Sequence, residues 1–139
     1  MPDLEGSKTY QNLNQALAAG SQVHLRFLYL AQLADIEGYP EIASNFREAA
    51  EREIEHAYGH LDYLKRVSDG DAGLPVVDTM ESLKAVVALK TQAYTDKYPV
   101  MARSAREEGF DEIAEWFEKL ARREKFQVGC FQQLQDRLE

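Results

Sequence analysis

Apolar residues recur at intervals of three and four along most of the chain, and this spacing predicts helices rather than strands. The pattern predicts a first helix from about Thr9 to Glu37, because Gly38 is a typical residue just past a helix C-terminus. A second helix is predicted from Pro40, which suits the first turn of a helix, to about Val67. No segment of the chain shows the alternation that indicates a strand.

Two further helices are predicted after a loop rich in turn-forming residues at 68–75. The third opens with a capping-box-like start at 78–81 and ends at Gly109, with a kink at Pro99 because the apolar pattern resumes beyond it. The fourth runs from about Asp111 to the end of the chain. Short turns within each pair and one long connection between the pairs predict an all-α, ferritin-like four-helix bundle with one crossover.

An internal repeat divides this bundle into two related helical hairpins. Residues 34–46 align without gaps with residues 105–117, and the match continues to Glu53 and Glu124. A helix end, a turn and a helix start that match in both halves indicate a duplicated structural unit. We therefore expect residues 1–139 to form a single domain built from two hairpins.

The composition excludes several classes of function. The chain is 45% hydrophobic, so it can form a core, and its net charge of −8 opposes binding to nucleic acid or to anionic membranes. Its single cysteine, Cys130, excludes an internal disulfide and any site with several thiolates. The sequence has neither a signal-like start nor an apolar run of about 18 residues. We therefore expect a cytoplasmic protein that does not enter a membrane.

The apolar stripes of the second and fourth helices each contain a glutamate. Glu53 and Glu124 are equivalent in the repeat, and we expect them to face each other near the bundle axis. His56 follows Glu53 by three residues and shares its side of the helix. Two carboxylates in a core require a cation. A Glu-x-x-His motif beside another core glutamate is the pattern of carboxylate-bridged di-metal sites.

With these residues in place, the chain resembles the ferritin-like domain of rubrerythrins along nearly its whole length. This resemblance implies a non-haem di-iron oxidoreductase that reduces peroxide in oxidative-stress defence and forms a homodimer. The sequence lacks the Cys-rich rubredoxin domain that many members carry, so an external electron-donor protein is expected. The matching segments are 6–13, 37–43, 53–56, 98–99 and 105–115.

The resemblance implies metal ligands at Glu53, His56 and Glu124, but four other ligand positions are substituted. A glutamate on the first helix, two on the third helix and a histidine on the fourth helix are expected there. This loss predicts at most one metal ion per chain, iron or another divalent metal. The substituted positions are Gly20, Lys90, Ala93 and Gln127.

Two hypotheses follow, and neither assigns a catalytic residue. In one, Glu53, His56 and Glu124 hold a single Fe(II), Mn(II) or Zn(II) ion, and the protein would be a peroxide reductase that acts at this metal. In the other, no metal binds, and the Lys90 ammonium neutralises both carboxylates. The protein would then be a structural or regulatory subunit, which could pair with an intact rubrerythrin homologue.

Two more histidines lie near the candidate site. His24 is one turn beyond Gly20, and His60 is one turn beyond His56. Either could approach a metal, although a core histidine that hydrogen-bonds to a neighbouring residue is the more common arrangement.

Overall fold

Helices contain most of the residues in 3–65 and 78–139, the ranges that the computed structural model describes. No strand occurs in these two ranges, so the predicted all-α class is confirmed. The chain divides into two compact units, Met1–Ala72 and Gly73–Glu139. None of the helices in the described ranges is long and apolar enough to cross a membrane.

The first unit is a helical hairpin of α1 (Lys8–Ile36) and α2 (Pro40–Leu64). The Ser7 side chain caps α1 by accepting a hydrogen bond of 3.0 Å from the Tyr10 N–H. Pro40 occupies the first turn of α2, as predicted. The predicted loop at 68–75 and the last residues of the predicted second helix lie outside the described residues.

Small residues line the contact between α1 and α2. In α2 the buried positions recur every seven residues at Ala43, Ala50 and Ala57, and Ala31 and Ala34 of α1 are buried in one cluster with Ala43. The stripe predicted for the second helix from its apolar spacing includes Ile42 and Ala49, so the observed seam lies one position away from it. Alanine methyl groups let the two helix backbones approach closely, whereas larger side chains are accommodated at the edges of the contact.

The second unit contains α3 (Thr79–Gln92), a π-helical turn (Ala93–Lys97), α4 (Tyr98–Glu107) and α5 (Asp111–Leu138). Asp78 Oδ1 accepts a hydrogen bond of 2.8 Å from the Glu81 N–H, as expected for the predicted helix start. Helices α3 and α4 both pack against α5. The unit is therefore a second hairpin, whose first arm changes helical type midway.

The π-helical turn explains how the first arm continues past Pro99. The ring of Pro99 removes a backbone donor, so the Thr95 carbonyl has no regular α-helical partner. The Tyr98 N–H instead donates to the Ala93 carbonyl, five residues back. The Thr95 hydroxyl also donates to the Thr91 carbonyl at 2.7 Å, a side-chain bond that bends helices.

The two hairpin turns have the same backbone geometry. Gly38 adopts φ 88°, and the Tyr39 N–H then reaches back to the Ala34 carbonyl at 2.8 Å. Gly109 adopts φ 89°, and the equivalent bond from Phe110 is 2.7 Å. This is the Schellman arrangement, which favours glycine because the backbone is left-handed at that residue. The prediction of two related hairpins is confirmed.

Aromatic contacts between the two arms repeat as well. One stacked aromatic pair lies in each hairpin, with ring centroids 6.0 Å apart in the first and 6.2 Å in the second. The members of the second pair follow those of the first by 71 residues, the spacing between Glu53 and Glu124. The pairs are Phe27–Phe46 and Tyr98–Phe117.

An exposed ion pair closes each turn, with its charges exchanged between the hairpins. Asp35 pairs with Arg47 in the first hairpin. At the equivalent positions of the second, Arg106 pairs with Glu118 at 2.6 Å. The hydrogen bond from Arg106 to Glu118 raises the pKa of the guanidinium above its usual value. Both pairs join the two arms of their own hairpin.

Candidate metal centre and its substitutions

In the first hairpin, Glu53 lies beside a glycine. Glu53 is half-buried on α2, and the residue opposite it on α1 is Gly20. A Cβ atom added at Gly20 would lie 3.4 Å from Glu53 Oε2, at ordinary van der Waals distance. Within the described ranges Glu53 has neither an ion pair nor a hydrogen bond from another side chain. The carboxylate therefore has space on the side of Gly20.

We expect the substitution Gly20→Ala to stabilise the protein by about 0.5–1 kcal/mol, because a mid-helix glycine is destabilising relative to alanine. The 3.4 Å distance leaves room for the added methyl group. Urea denaturation measures the effect. Gly59→Ala in α2, where an added Cβ meets nothing within 4 Å, is the matched control for helix propensity alone. Destabilisation by Gly20→Ala but not by Gly59→Ala would contradict the space assigned beside Glu53.

In the second hairpin, a lysine lies against the equivalent glutamate. Lys90 Nζ donates a hydrogen bond of 2.7 Å to Glu124 Oε2. The Lys90 side chain is 27% exposed and the Glu124 side chain 18% exposed, so water reaches the pair only in part. The pair lies at the wall of an open groove of about 580 Å³ that extends along the π-helical turn. This arrangement supplies Glu124 with a fixed positive charge.

The π-helical turn makes Gly20 and Lys90 equivalent positions. A π-helical turn contains one residue more than an α-helical turn, so the repeat spacing is 71 after it and 70 before it. With this correction, Lys90 corresponds to Gly20, and each lies beside the glutamate of its own hairpin. The same position of the repeat thus carries no side chain in one hairpin and an ammonium group in the other.

The remaining candidate residues differ in exposure. His24 Nδ1 lies 2.7 Å from the Ala50 carbonyl oxygen. Because a carbonyl only accepts, Nδ1 carries the hydrogen in this contact. His60 is half-buried, whereas His56 and Gln127 are exposed within their own units.

The structure brings together two pairs of site positions, Gly20 with Glu53 and Lys90 with Glu124. Within each unit, no three His, Cys, Asp or Glu side chains of the described residues form a group that could hold a metal ion. Ala93 lies in the π-helical turn, where its methyl group offers no ligand atom. The expected meeting of Glu53 with Glu124, which belong to different units, stays a prediction.

Sequence reasoning missed two features of this site. The backbone carbonyl of Ala50 orients His24, and a residue's type gives no signal for such a contact. The π-helical turn did leave a signal in the numbering. Glu53 follows Gly20 by 33 residues, whereas Glu124 follows Lys90 by 34, and this difference of one indicates an extra residue before Pro99.

Comparison with known proteins relates this chain to a family. A model of the family Rubrerythrin matches residues 11–134. The chain is 39% identical over 124 residues to the rubrerythrin of Porphyromonas gingivalis, covering 86% of the chain and 62% of that protein. It is 37% identical over 131 residues to the rubrerythrin of Nitratidesulfovibrio vulgaris, with 91% and 68% covered.

A rubrerythrin of Clostridium perfringens is 34% identical over 147 residues, with 100% of this chain and 75% of that protein covered. The chain thus spans about two thirds of the length of these relatives. The rubrerythrin domain is a ferritin-like helical bundle, in agreement with the predicted fold class. On the extent and identity of these matches, the chain belongs to the rubrerythrin family.

Proposed function

We propose that this chain is a rubrerythrin-family subunit that does not assemble a di-iron centre, and whose Lys90 ammonium replaces a metal ion as the cation beside Glu124. The observation that carries this proposal is the 2.7 Å contact between Lys90 Nζ and Glu124 Oε2. Such a subunit would have a structural or regulatory role in the cytoplasm, as a homodimer or beside an intact rubrerythrin homologue.

The family implies iron, and the residues of this chain do not fit two iron ions. Gly20 and Ala93 offer no ligand atoms. A protonated lysine has three donors and no lone pair, so Lys90 cannot be a ligand while it holds its proton. Its charge, 2.7 Å from Glu124 Oε2, also opposes a second cation at that carboxylate. The residues of this chain therefore do not support chemistry at a di-iron centre.

A second candidate function rests on the open side of Glu53. The space at Gly20 lies next to Glu53 Oε2, and no described side chain neutralises this carboxylate. In this alternative, Glu53, His56 and Glu124 hold one divalent metal, and the protein reduces peroxide with electrons from an external donor protein. Binding of the metal would require Lys90 to leave Glu124.

The two candidates predict different metal contents. We expect well under one iron per chain after anaerobic loading with Fe(II) and desalting, measured by elemental analysis, because Lys90 opposes the cation at Glu124. The alternative predicts one iron, which is lost in His56→Ala and retained in the matched variant His24→Ala. Two irons per chain with a di-iron absorption band would contradict both candidates and indicate a complete peroxidase.

A further inference from the structure

The middle of α5 carries positive charge that its own hairpin does not neutralise. Residues 118–126 contain four basic and two acidic side chains. Both acidic side chains already have a cation from another helix of the hairpin, since Arg106 pairs with Glu118 and Lys90 pairs with Glu124. The four basic side chains form no ion pair with a described residue. These four are Lys119, Arg122, Arg123 and Lys125.

Three of these cations and a phenyl ring share one side of α5. Lys119, Arg122, Arg123 and Phe126 recur at intervals of three and four residues, on a side of the helix that faces away from buried Ala114. All four are exposed, and Phe126 is 74% exposed. They line an open groove of about 700 Å³. We call Lys119, Arg122, Arg123 and Phe126 the basic patch.

An exposed glutamate limits the basic patch at its N-terminal end. Glu115 lies on the same side of α5, one turn before Lys119, and forms no ion pair with it in the described ranges. The hydrogen bond to Glu118 raises the pKa of the Arg106 guanidinium most, and the nearby charge of Glu115 raises it further. The uninterrupted positive surface therefore extends from Lys119 to Phe126, about 10 Å along the helix axis.

We propose that the basic patch binds a short acidic segment of a partner protein, with an apolar side chain of that segment packed on Phe126. Carboxylates along such a segment complement the three cations of the patch, which have no described ion pair in this chain. An exposed aromatic ring beside them supplies a hydrophobic anchor for the same segment. This inference does not depend on the metal content of the chain.

The length of the basic patch favours a protein segment over a nucleic acid or a membrane. The whole chain has a net charge of −8, so the surface outside the patch is more acidic still. A nucleic acid or an anionic membrane carries negative charge far beyond about 10 Å and would meet Glu115 and other acidic side chains. A short acidic segment avoids most of this repulsion, because charges more than about 8 Å away are largely screened at physiological salt.

Fluorescence anisotropy with a labelled peptide tests this binding. The probe is a peptide of about eight residues that alternates glutamate with leucine, and its control has glutamine in place of glutamate. At low salt we expect the acidic peptide to bind with a Kd of about 10–100 μM and the control peptide to bind at least about 10-fold more weakly. Arg122→Glu/Arg123→Glu should weaken binding of the acidic peptide at least about 10-fold, and Phe126→Ala about 3-fold or more.

The matched control variant is Lys8→Glu/Lys84→Glu, which makes the same change in net charge with exposed lysines outside the basic patch. It should bind the acidic peptide within about twofold of the unaltered protein, because distant exposed charges are screened. Circular dichroism should show every variant to be helical, and Arg122→Gln/Arg123→Gln repeats the test without added acidic groups. An unaltered protein that does not bind the acidic peptide, or an equal loss in the control variant, would overturn the proposal. Tighter binding of a single-stranded oligonucleotide of equal charge would also overturn it.

Discussion

Replacing Lys90 with Met should lower the unfolding temperature in the presence of chelator, because Glu124 loses the cation 2.7 Å from its Oε2. Breaking a fully buried ion pair costs about 3–5 kcal/mol, and exposed pairs contribute less than about 1 kcal/mol. Since both side chains are half-buried, we expect a loss of about 1–3 kcal/mol, or roughly 4–10 °C for a chain of this size. Thermal denaturation followed by circular dichroism measures it.

A double-mutant cycle isolates the pair. Removing both charges with Lys90→Met/Glu124→Gln should cost less than the sum of the single changes, because no uncompensated charge is left. Lys84→Met, at an exposed position of the same helix, is the matched control and should change stability by less than about 0.5 kcal/mol. A Lys90→Met protein as stable as the parent would show that Lys90 does not compensate Glu124.

Rebuilding the family's ligand positions should convert this chain into an iron-binding protein. The combined variant carries Gly20→Glu, Lys90→Glu, Ala93→Glu and Gln127→His. Without metal it should unfold at least about 10 °C below the parent, since it gains three carboxylates near Glu53 and Glu124 and loses the Lys90 charge. Anaerobic Fe(II) should restore most of this loss and give two irons per chain by elemental analysis.

A neutral counterpart separates charge from shape in that experiment. Glutamine in place of glutamate at 20, 90 and 93, together with Gln127→His, has nearly the same volume but lacks the added carboxylates. This control should bind less than one iron per chain. If the folded glutamate variant also binds less than one iron, then the four substitutions are not what prevents a di-iron centre in the natural chain.

Local chemistry was sufficient to predict most helix boundaries. Gly38 and Gly109 mark the ends of helices because each adopts a left-handed backbone, and Asp78 marks a start because its side chain caps the first turn. The contact between α1 and α2 was predicted one position away from the alanine seam that the structure shows. Periodicity favours the largest apolar residues, whereas the close approach of α1 and α2 buries alanines such as Ala50.

The candidate site was predictable only in part. The hypothesis that the Lys90 ammonium neutralises core carboxylates predicted a side chain directed toward a carboxylate, and Lys90 does contact Glu124. The exposure of His56 was not expected from its spacing to Glu53. Three residues advance a helix by about 300°, which is about 60° short of a full turn. His56 therefore lies about 60° from Glu53 around the helix, on the side opposite to Ala57. That rotation is away from the seam through Ala57, so an i+3 neighbour of a half-buried residue can itself be exposed.

The central claim is that the Lys90 ammonium has replaced a metal cation at Glu124, and the unfolding temperature of the unaltered protein with and without anaerobic Fe(II) tests it most directly. A ligand that binds the folded state raises this temperature by an amount that grows with the ratio of its free concentration to its Kd. The account predicts a shift smaller than about 1 °C for the unaltered protein and a clear rise for Lys90→Met. A rise of about 5 °C or more in the unaltered protein would contradict it, because iron would then bind while Lys90 is present.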